Sequence, residues 1–573
     1  MPSISYNYRS KWSNYHLTRQ GSYSADGEIR ETANVHCSDI AGVSGPQRFA
    51  STGAELQKFV KRMLNPDQLI VQLEPPEAIV SLGRGWSFSA LIGAKDMQID
   101  LTGLAGISPA QVKELHQDCS VDHANIALAS GGTRLRELVN WALPLGKSIK
   151  TAGTHLGPTI AGGFGTASHG SRIGYGGLQD QILGMHIITG EDSSVWIERA
   201  SQPLLNDAAI AQFSNKRAIR DDDIFADALI HLGGMGIVNG VAFELVPRRG
   251  YSVVMAKTPV NADWLSLIAV NNFRQMARNI GVDQMPDFYE LTINPHDWDG
   301  PVALHTMYFE TETPPTSEVP IDILRSSDAV IFAVNFFVAI QHQRLAGSLK
   351  PIAEKWLNNS LEQICQEQTI FALYASQLKD DVHRPQNMDM TYGWEQMHND
   401  EITGGYPGAL YNASYTIDAK DVEQVIPMIV DAVKHVPPTF LFTLRFVKNP
   451  DGTMAFTRFE NNVVIEVDGI SEKAPSFGPI GKATEVAALR VQEALTENGI
   501  NFGMHWAKLG KLDRQKVAAD YGPVDDPASP ICRWRKTRYT LLDEQGQKLF
   551  WNDGLVNFGL IDKPESFLWQ LGK

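Results

Sequence analysis

Short apolar runs, broken by glycine and proline, set the rhythm of the first half of the chain. Residues 1–44 are polar and rich in Ser, Tyr and Asn, which predicts an irregular N-terminal extension. Helical spacing follows at 53–63 (GAELQKFVKRM). The apolar run at 78–82 then predicts a buried strand ending at Gly83. Residues 126–129 predict a strand and 134–142 a helix. Residues 185–189 and 194–197 predict a hairpin about Gly190, Glu191 and Asp192, and 238–246 a further strand. Pro247, Arg248, Arg249 and Gly250 break the pattern and mark a domain boundary.

Beyond the boundary, strands are predicted at 288–293, 303–310, 410–417, 440–447 and 463–467, with helices at 421–436 and 484–498. Residues 314–320 read as a loop, 321–380 as mostly helical, 380–408 as polar and loop-like, and 475–481 as a linker. The pattern predicts an α+β chain: an extension (1–44), a first domain (45–249), a second (250–535) with an antiparallel sheet flanked by helices, and a C-terminal segment (536–573) returning to the first domain.

At 573 residues the chain is too long for one core, so two to four domains are expected. A net charge of −15 argues against a nucleic-acid partner and against a polybasic membrane surface. Cys37, Cys119, Cys365 and Cys532 are far apart and form no CxxC pair. That argues against a zinc site and fits a reduced, cytoplasmic setting. The first residues show no basic region followed by an apolar core, so no secretory signal is expected. The longest apolar run, 329–340, is too short to span a bilayer, which takes about 20 apolar residues. It reads as a core helix or as the wall of an apolar substrate cavity.

Two loops carry candidate chemistry. The first is Gly83, Arg84, Gly85, Trp86, Ser87, Phe88 and Ser89. Glycines let backbone approach an anion, and successive N–H groups with serine hydroxyls form an anion-binding nest. It lacks the third glycine of the dinucleotide fingerprint and the Gly-Lys-Ser/Thr of a P-loop. The second loop, 153–171, holds six glycines and seven polar side chains within nineteen residues. Ile160, Ala161 and Phe164 within it point to a packed, functional loop.

Together the loops resemble the FAD domain of the vanillyl-alcohol oxidase and aldonolactone oxidase families. The resemblance rests on Arg84-Gly85-Trp86-Ser87, then Thr159-Ile160-Ala161-Gly162 with His169-Gly170-Ser171, then the segment from Leu232 to Val238. It extends to the sugar-lactone and alditol oxidase branch through Tyr289-Glu290-Leu291, His505-Trp506-Ala507-Lys508 and the C-terminal Trp551-Asn552-Asp553-Gly554. It implies a two-subdomain PCMH-type FAD-binding domain capped by the substrate domain. The implied FAD contacts are Gly83 to Ser89, Gly153, Thr154, Thr159, Gly162, Gly163, Thr166, Ser168, His169, Gly170, Ser171, Gly236, Ile237 and Val238. It also implies oxidation of a small-molecule alcohol (CH–OH) by hydride transfer to flavin N5, with molecular oxygen or another electron acceptor. Arg445, His505 and Lys508 are then the catalytic candidates: Arg445 beside the substrate oxygen, Lys508 as a cation, His505 as a base. Glu466 and Asp468 are weaker candidates, because alternation puts both on one strand face, which reads simply as solvent.

Two residues depart from the pattern. Trp86 stands where many members carry the histidine that links flavin, and residues 151–172 contain no cysteine. Indole has no free ring-nitrogen lone pair for that link, so non-covalent FAD is expected. Thr443 replaces a glutamate usual in the branch, which points to a substrate larger or less polar than an alditol, as in sterol oxidases. Alternatives are a tailoring oxidase forming a ring or C=C bond, and a flavin binder without turnover. No complete GxGxxG follows a strand, which disfavours an NAD-dependent dehydrogenase.

Overall fold

Three sheets organise the chain in a computed structural model that describes residues 2–9, 12–13, 20–21, 30–36, 43–65, 76–92, 97–153, 156–215, 218–258, 262–296, 303–312, 382–383, 410–436, 440–470 and 478–564. The calls on 314–320, 321–380 and 329–340, on Thr154, Cys37 and Cys365, and on nearly all of 380–408 lie outside these residues.

The first sheet has four strands, in the order Ser3–Arg9, Arg30–His36, Met97–Asp100, Ile79–Leu82. Residues 1–44 are therefore not wholly irregular. Ser3–Arg9 pairs antiparallel with Arg30–His36, which runs parallel to Met97–Asp100. The polar composition hides a period of two: Ala33 and Val35 are buried while Asn34 lies between them. The helix expected at 53–63 spans Gly45–Leu64. It begins early because Pro46 suits a first turn. Its Gly53 allows close packing: a Cβ there would stand 3.2 Å from the His186 ring.

The second sheet has six strands: Ile219–Arg220, Ser193–Glu198, Ile182–Gly190, Ile237–Glu244, Ile126–Ser130, Ile107–Pro109. Every residue of Ile182–Gly190 is buried. Met185, Ile187, Val241 and Phe243 pack with Phe164 and Leu178. Trp196, Leu128 and Ala242 pack with Phe49 of the long helix. Burying each large side chain contributes roughly 1.5–3 kcal/mol. Covered on both sides, this sheet is a scaffold.

The third sheet has eight strands, antiparallel at each pairing: Val382–His383, Gly250–Thr258, Ala303–Thr311, Phe288–Ile293, Phe440–Lys448, Asn461–Ile470, Leu410–Asp418, Phe502–Met504. On one face Tyr289, Leu291, Phe442, Leu444, Ile465 and Tyr415 form a core with the helices Val422–Val433 and Gly478–Glu497. Strand alternation sends the intervening residues to the other face. The linker expected at 475–481 is shorter than it reads, because the helix begins at Gly478.

After Pro530–Leu541 the chain lies against the first two sheets. Trp534 Nε1 donates to Ile230 O at 2.9 Å, and Arg538 donates to Gly234 O at 2.8 Å and Phe550 O at 3.0 Å. Among the described residues no helix is long and apolar enough to cross a membrane, and no cluster could hold a metal ion.

Candidate active site

The two loops meet. Gly83 ends the strand Ile79–Leu82, and a Cβ on it would stand 2.5 Å from Thr159 Oγ1 of the second loop. Only glycine permits that approach. Gly85 adopts φ +71°, a turn open to glycine. The N–H groups of Arg84 and Gly85 find no acceptor among the described residues. Ser87 and Ser89 bring their hydroxyls within 3.3 Å of each other. Phe88 N–H donates to Ala507 O at 2.7 Å, which ties this loop to the turn carrying His505 and Lys508. Trp86 lies in the same loop, half-buried.

Much of the second loop's polarity is spent internally. Thr159 Oγ1 accepts from Gly162 N–H at 3.3 Å and caps the short helix Ile160–Phe164. Thr166 donates to Gly162 O at 2.9 Å, and Ser168 N–H donates to Gly163 O at 3.0 Å. Gly170 fits against Thr151, where a Cβ would stand 2.5 Å from Oγ1, and Gly153 lies beside His169 O. The third segment abuts this loop through Leu232 N–H, which donates to Gly165 O at 3.0 Å. Gly236, at φ +107°, leads Ile237 and Val238 into the buried strand Ile237–Glu244. Among the described residues three non-glycines have positive φ: Ala167, Leu232 and Asn271. The first two lie in these segments, where strain of this kind gathers at functional sites.

Ser171 differs from its expected role as a cofactor donor. It is fully buried, accepts from Phe446 N–H at 2.8 Å and donates to Tyr289 O. Its hydroxyl is committed to the third sheet, and it pins the loop there.

The polar face of the third sheet gathers the catalytic candidates. Cross-strand register sets Glu290 opposite Arg445, Thr443 opposite Glu466, Ser414 opposite Glu466, and Asn412 opposite Asp468. Glu466, 3% exposed, is the centre. Its Oε2 lies 2.9 Å from Arg445 Nε, and its Oε1 accepts from Lys508 Nζ. Lys508 also donates to Ser414 Oγ at 2.8 Å, and Arg445 reaches Glu290 Oε2 at 3.1 Å. Lys508, Glu466, Arg445 and Glu290 thus form a row of alternating charge across the strands. The His505 ring lies tilted 4.6 Å from that of Phe456, with His169 of the second loop 5.3 Å from the same ring.

Burial alone would raise the Glu466 carboxyl, but the Arg445 guanidinium and Lys508 ammonium hold it well below the usual range. Burial pushes Asp468 up, and the Glu466 charge adds to this. Burial also raises Glu290, against the pull of Arg445. Burial depresses His505 far below an ordinary imidazole and His169 to about 4. Both rings are neutral at pH 7. Ala507 N–H donates to His505 Nδ1 at 3.0 Å, so the acceptor nitrogen of the neutral ring is occupied. His505 is therefore placed as a donor through Nε2 rather than as the expected base.

Arg445, His505 and Lys508 share one face with Glu466. The reading of that face as solvent does not hold at Glu466, which is 3% exposed and which Lys508, from the turn after Phe502–Met504, reaches. Ser414 is the residue sequence reasoning passed over; Glu290 enters it only within its motif and with no role. Their signal is alternation: Asn412, Ser414 and Thr416 share one face of Leu410–Asp418, and Glu290 and Thr292 one face of Phe288–Ile293.

No protein-family profile matches the chain. Solved structures match nearly its whole length. Cholesterol oxidase from Brevibacterium sterolicum is 12% identical with a TM-score of 0.58, over 97% of both chains. A solvent-stable cholesterol oxidase is 11% identical with a TM-score of 0.61, over 97% of this chain and 98% of that one. At such identity the likeness is one of fold.

Proposed function

We propose that the chain is an FAD-dependent oxidoreductase, oxidase or dehydrogenase, that oxidises an alcohol-type carbon of a small molecule. The observation that carries this reading is the meeting of the glycine loops with a buried charged row, through the Phe88–Ala507 bond and the Ser171 pin. The first loop fits a diphosphate: it offers Arg84, two serines and free N–H groups, and no carboxylate. Gly83 to Ser89, with backbone of the second loop and of Gly236 to Val238, would hold FAD. The first two sheets would form the two subdomains of a PCMH-type domain. Trp86 and the absence of cysteine from 151–172 support non-covalent binding.

Bound FAD would supply the hydride acceptor. The protein's own groups do the rest. Arg445 and Lys508 present cations that stabilise negative charge as it develops. His505 Nε2 donates to the substrate oxygen or the cofactor edge. Glu290, whose burial raises its proton affinity, accepts the hydroxyl proton on a carboxylate oxygen. Burial of Glu466 and Arg445 keeps water from the middle of the row. Thr443, the neutral neighbour of Glu466, and the sterol-oxidising proteins of like fold support a substrate larger or less polar than an alditol.

The visible spectrum of purified protein with added FAD tests the cofactor, and colour left in an acid pellet would exclude non-covalent binding. Anaerobic bleaching by a panel of alcohols, lactones and sterols tests turnover. Re-oxidation by air separates oxidase from dehydrogenase. A bound flavin that no member of the panel bleaches would defeat the alcohol-oxidation reading.

A further inference from the structure

Glu466 stands apart from every other carboxylate on this face. It contacts both cations, one oxygen to each: Oε1 to Lys508 and Oε2 to Arg445. It lies on Asn461–Ile470, between the strand carrying Arg445 and the strand carrying Ser414. Lys508 reaches it from the turn after Phe502–Met504, on the far side of Leu410–Asp418. The two cations therefore come from elements that do not pair with each other, and a single carboxylate joins them. Without it two positive groups would face each other across a buried strand, which is costly unless something replaces the charge.

We propose that Glu466 is a positioning residue: it sets the spacing and direction of Arg445 and Lys508 and tunes the net charge the row presents to the flavin. This rests on the flavin reading above. Orientation follows from geometry, since a displacement of about 1 Å in a reacting group can cost on the order of 100-fold in rate. Charge follows from the count of groups. Lys508 and Arg445 offset Glu466 and Glu290, so removing the Glu466 charge leaves the row one unit more positive.

Glu466→Gln and Glu466→Asp separate the two effects, with sulfite as the probe. Sulfite adds through sulfur to flavin N5 and leaves a negative charge on the ring, read as bleaching of the flavin band. In Glu466→Gln, kcat is expected to fall on the order of 100-fold with KM within about threefold. Sulfite Kd is expected to fall on the order of tenfold, because the extra positive charge stabilises the adduct. Glu466→Asp keeps the charge but is one methylene short of spanning both cations. Its sulfite Kd is expected within about twofold of the parent, while kcat stays at least about fivefold low. A merely structural glutamate would lower stability and leave sulfite affinity and kcat per bound flavin unchanged; that result in either variant's own readout overturns the proposal. If Glu466→Gln does not fold, the kcat of Glu466→Asp decides alone. Failure of the parent to take up FAD would instead overturn the reading beneath it.

Discussion

Two buried glutamates sit in the two large sheets, and each meets an arginine. Glu198, in the six-stranded sheet, accepts from Trp196 Nε1 at 2.6 Å, Leu205 N–H at 3.1 Å and Arg220 Nε at 2.7 Å. Two of those donors are neutral and locked by backbone or core packing. Glu466, in the eight-stranded sheet, joins two long cationic side chains from elements that do not pair with each other. The same residue type at the same depth closes a scaffold in one place and, on the proposal above, orders chemistry in the other. Burial and charge pairing alone do not mark a site. Both arginines reach a second carboxylate, Arg220 at Asp207 and Arg445 at Glu290; the difference is the second cation, Lys508, that Glu466 also holds.

That contrast can be broken by experiment. Glu198→Ala leaves the Trp196 indole and the Leu205 N–H unsatisfied and takes from Arg220 one of its two carboxylates, Asp207 remaining, so equilibrium urea unfolding should lose about 1–3 kcal/mol. Activity per bound flavin should stay within about twofold. A loss of activity without a loss of stability would erase the distinction. Arg445→Met should do the reverse: kcat/KM lower by at least about 100-fold, or about 2.7 kcal/mol, with a smaller shift in the urea midpoint than Glu198→Ala.

The histidines sharpen the comparison from another side. His186 of the scaffold sheet is held by burial at about 3, and His169 of the loop at about 4. The unfolded chain protonates its imidazoles near 6.5, so it binds more protons than the folded chain below that pH. Stability is fully present above about 6.5 and falls with pH, by about 1.4 kcal/mol per unit for each such histidine. Melting temperatures from pH 8 to 5 check this, and His186→Gln should shallow the slope. Ser171→Ala should cost about 1–3 kcal/mol of stability and leave FAD affinity within about twofold, since its hydroxyl serves the sheet. A large loss of FAD affinity would restore it to the cofactor donors.

The strands of the second half were legible because β-branched and aromatic runs are long there, as in Phe440–Lys448. The glycine loops were legible because glycine density marks close approach. The N-terminal strands were not, since the alternation of Ile4, Tyr6 and Tyr8, and of Ala33 and Val35, is set among polar neighbours. The charged row was half legible. Arg445, His505 and Lys508 emerged through resemblance, but their joining by Glu466 depends on pairing between Phe440–Lys448, Asn461–Ile470 and Leu410–Asp418. Alternation tells which residues share a face and is silent on what covers it. Register between distant strands is a tertiary property, so Glu290, more than 150 residues from Arg445, carried no local sign of its partner.

The pin at Ser171 bears on how such a protein could be recombined. The loop's edge joins the third sheet there: Tyr289 N–H donates to Ser171 O at 3.1 Å, and Arg172 bridges to Phe288. A chimaera cut at the linear boundary near Pro247 would exchange the sheet and leave its anchoring residues behind. A transplant that keeps the donor and acceptor matched must carry Ser171 and Arg172 along with Phe288–Ile293 and Phe440–Lys448. The unit of exchange is thus discontinuous in the chain, and libraries that swap the eight-stranded sheet would do best with crossovers placed to respect it.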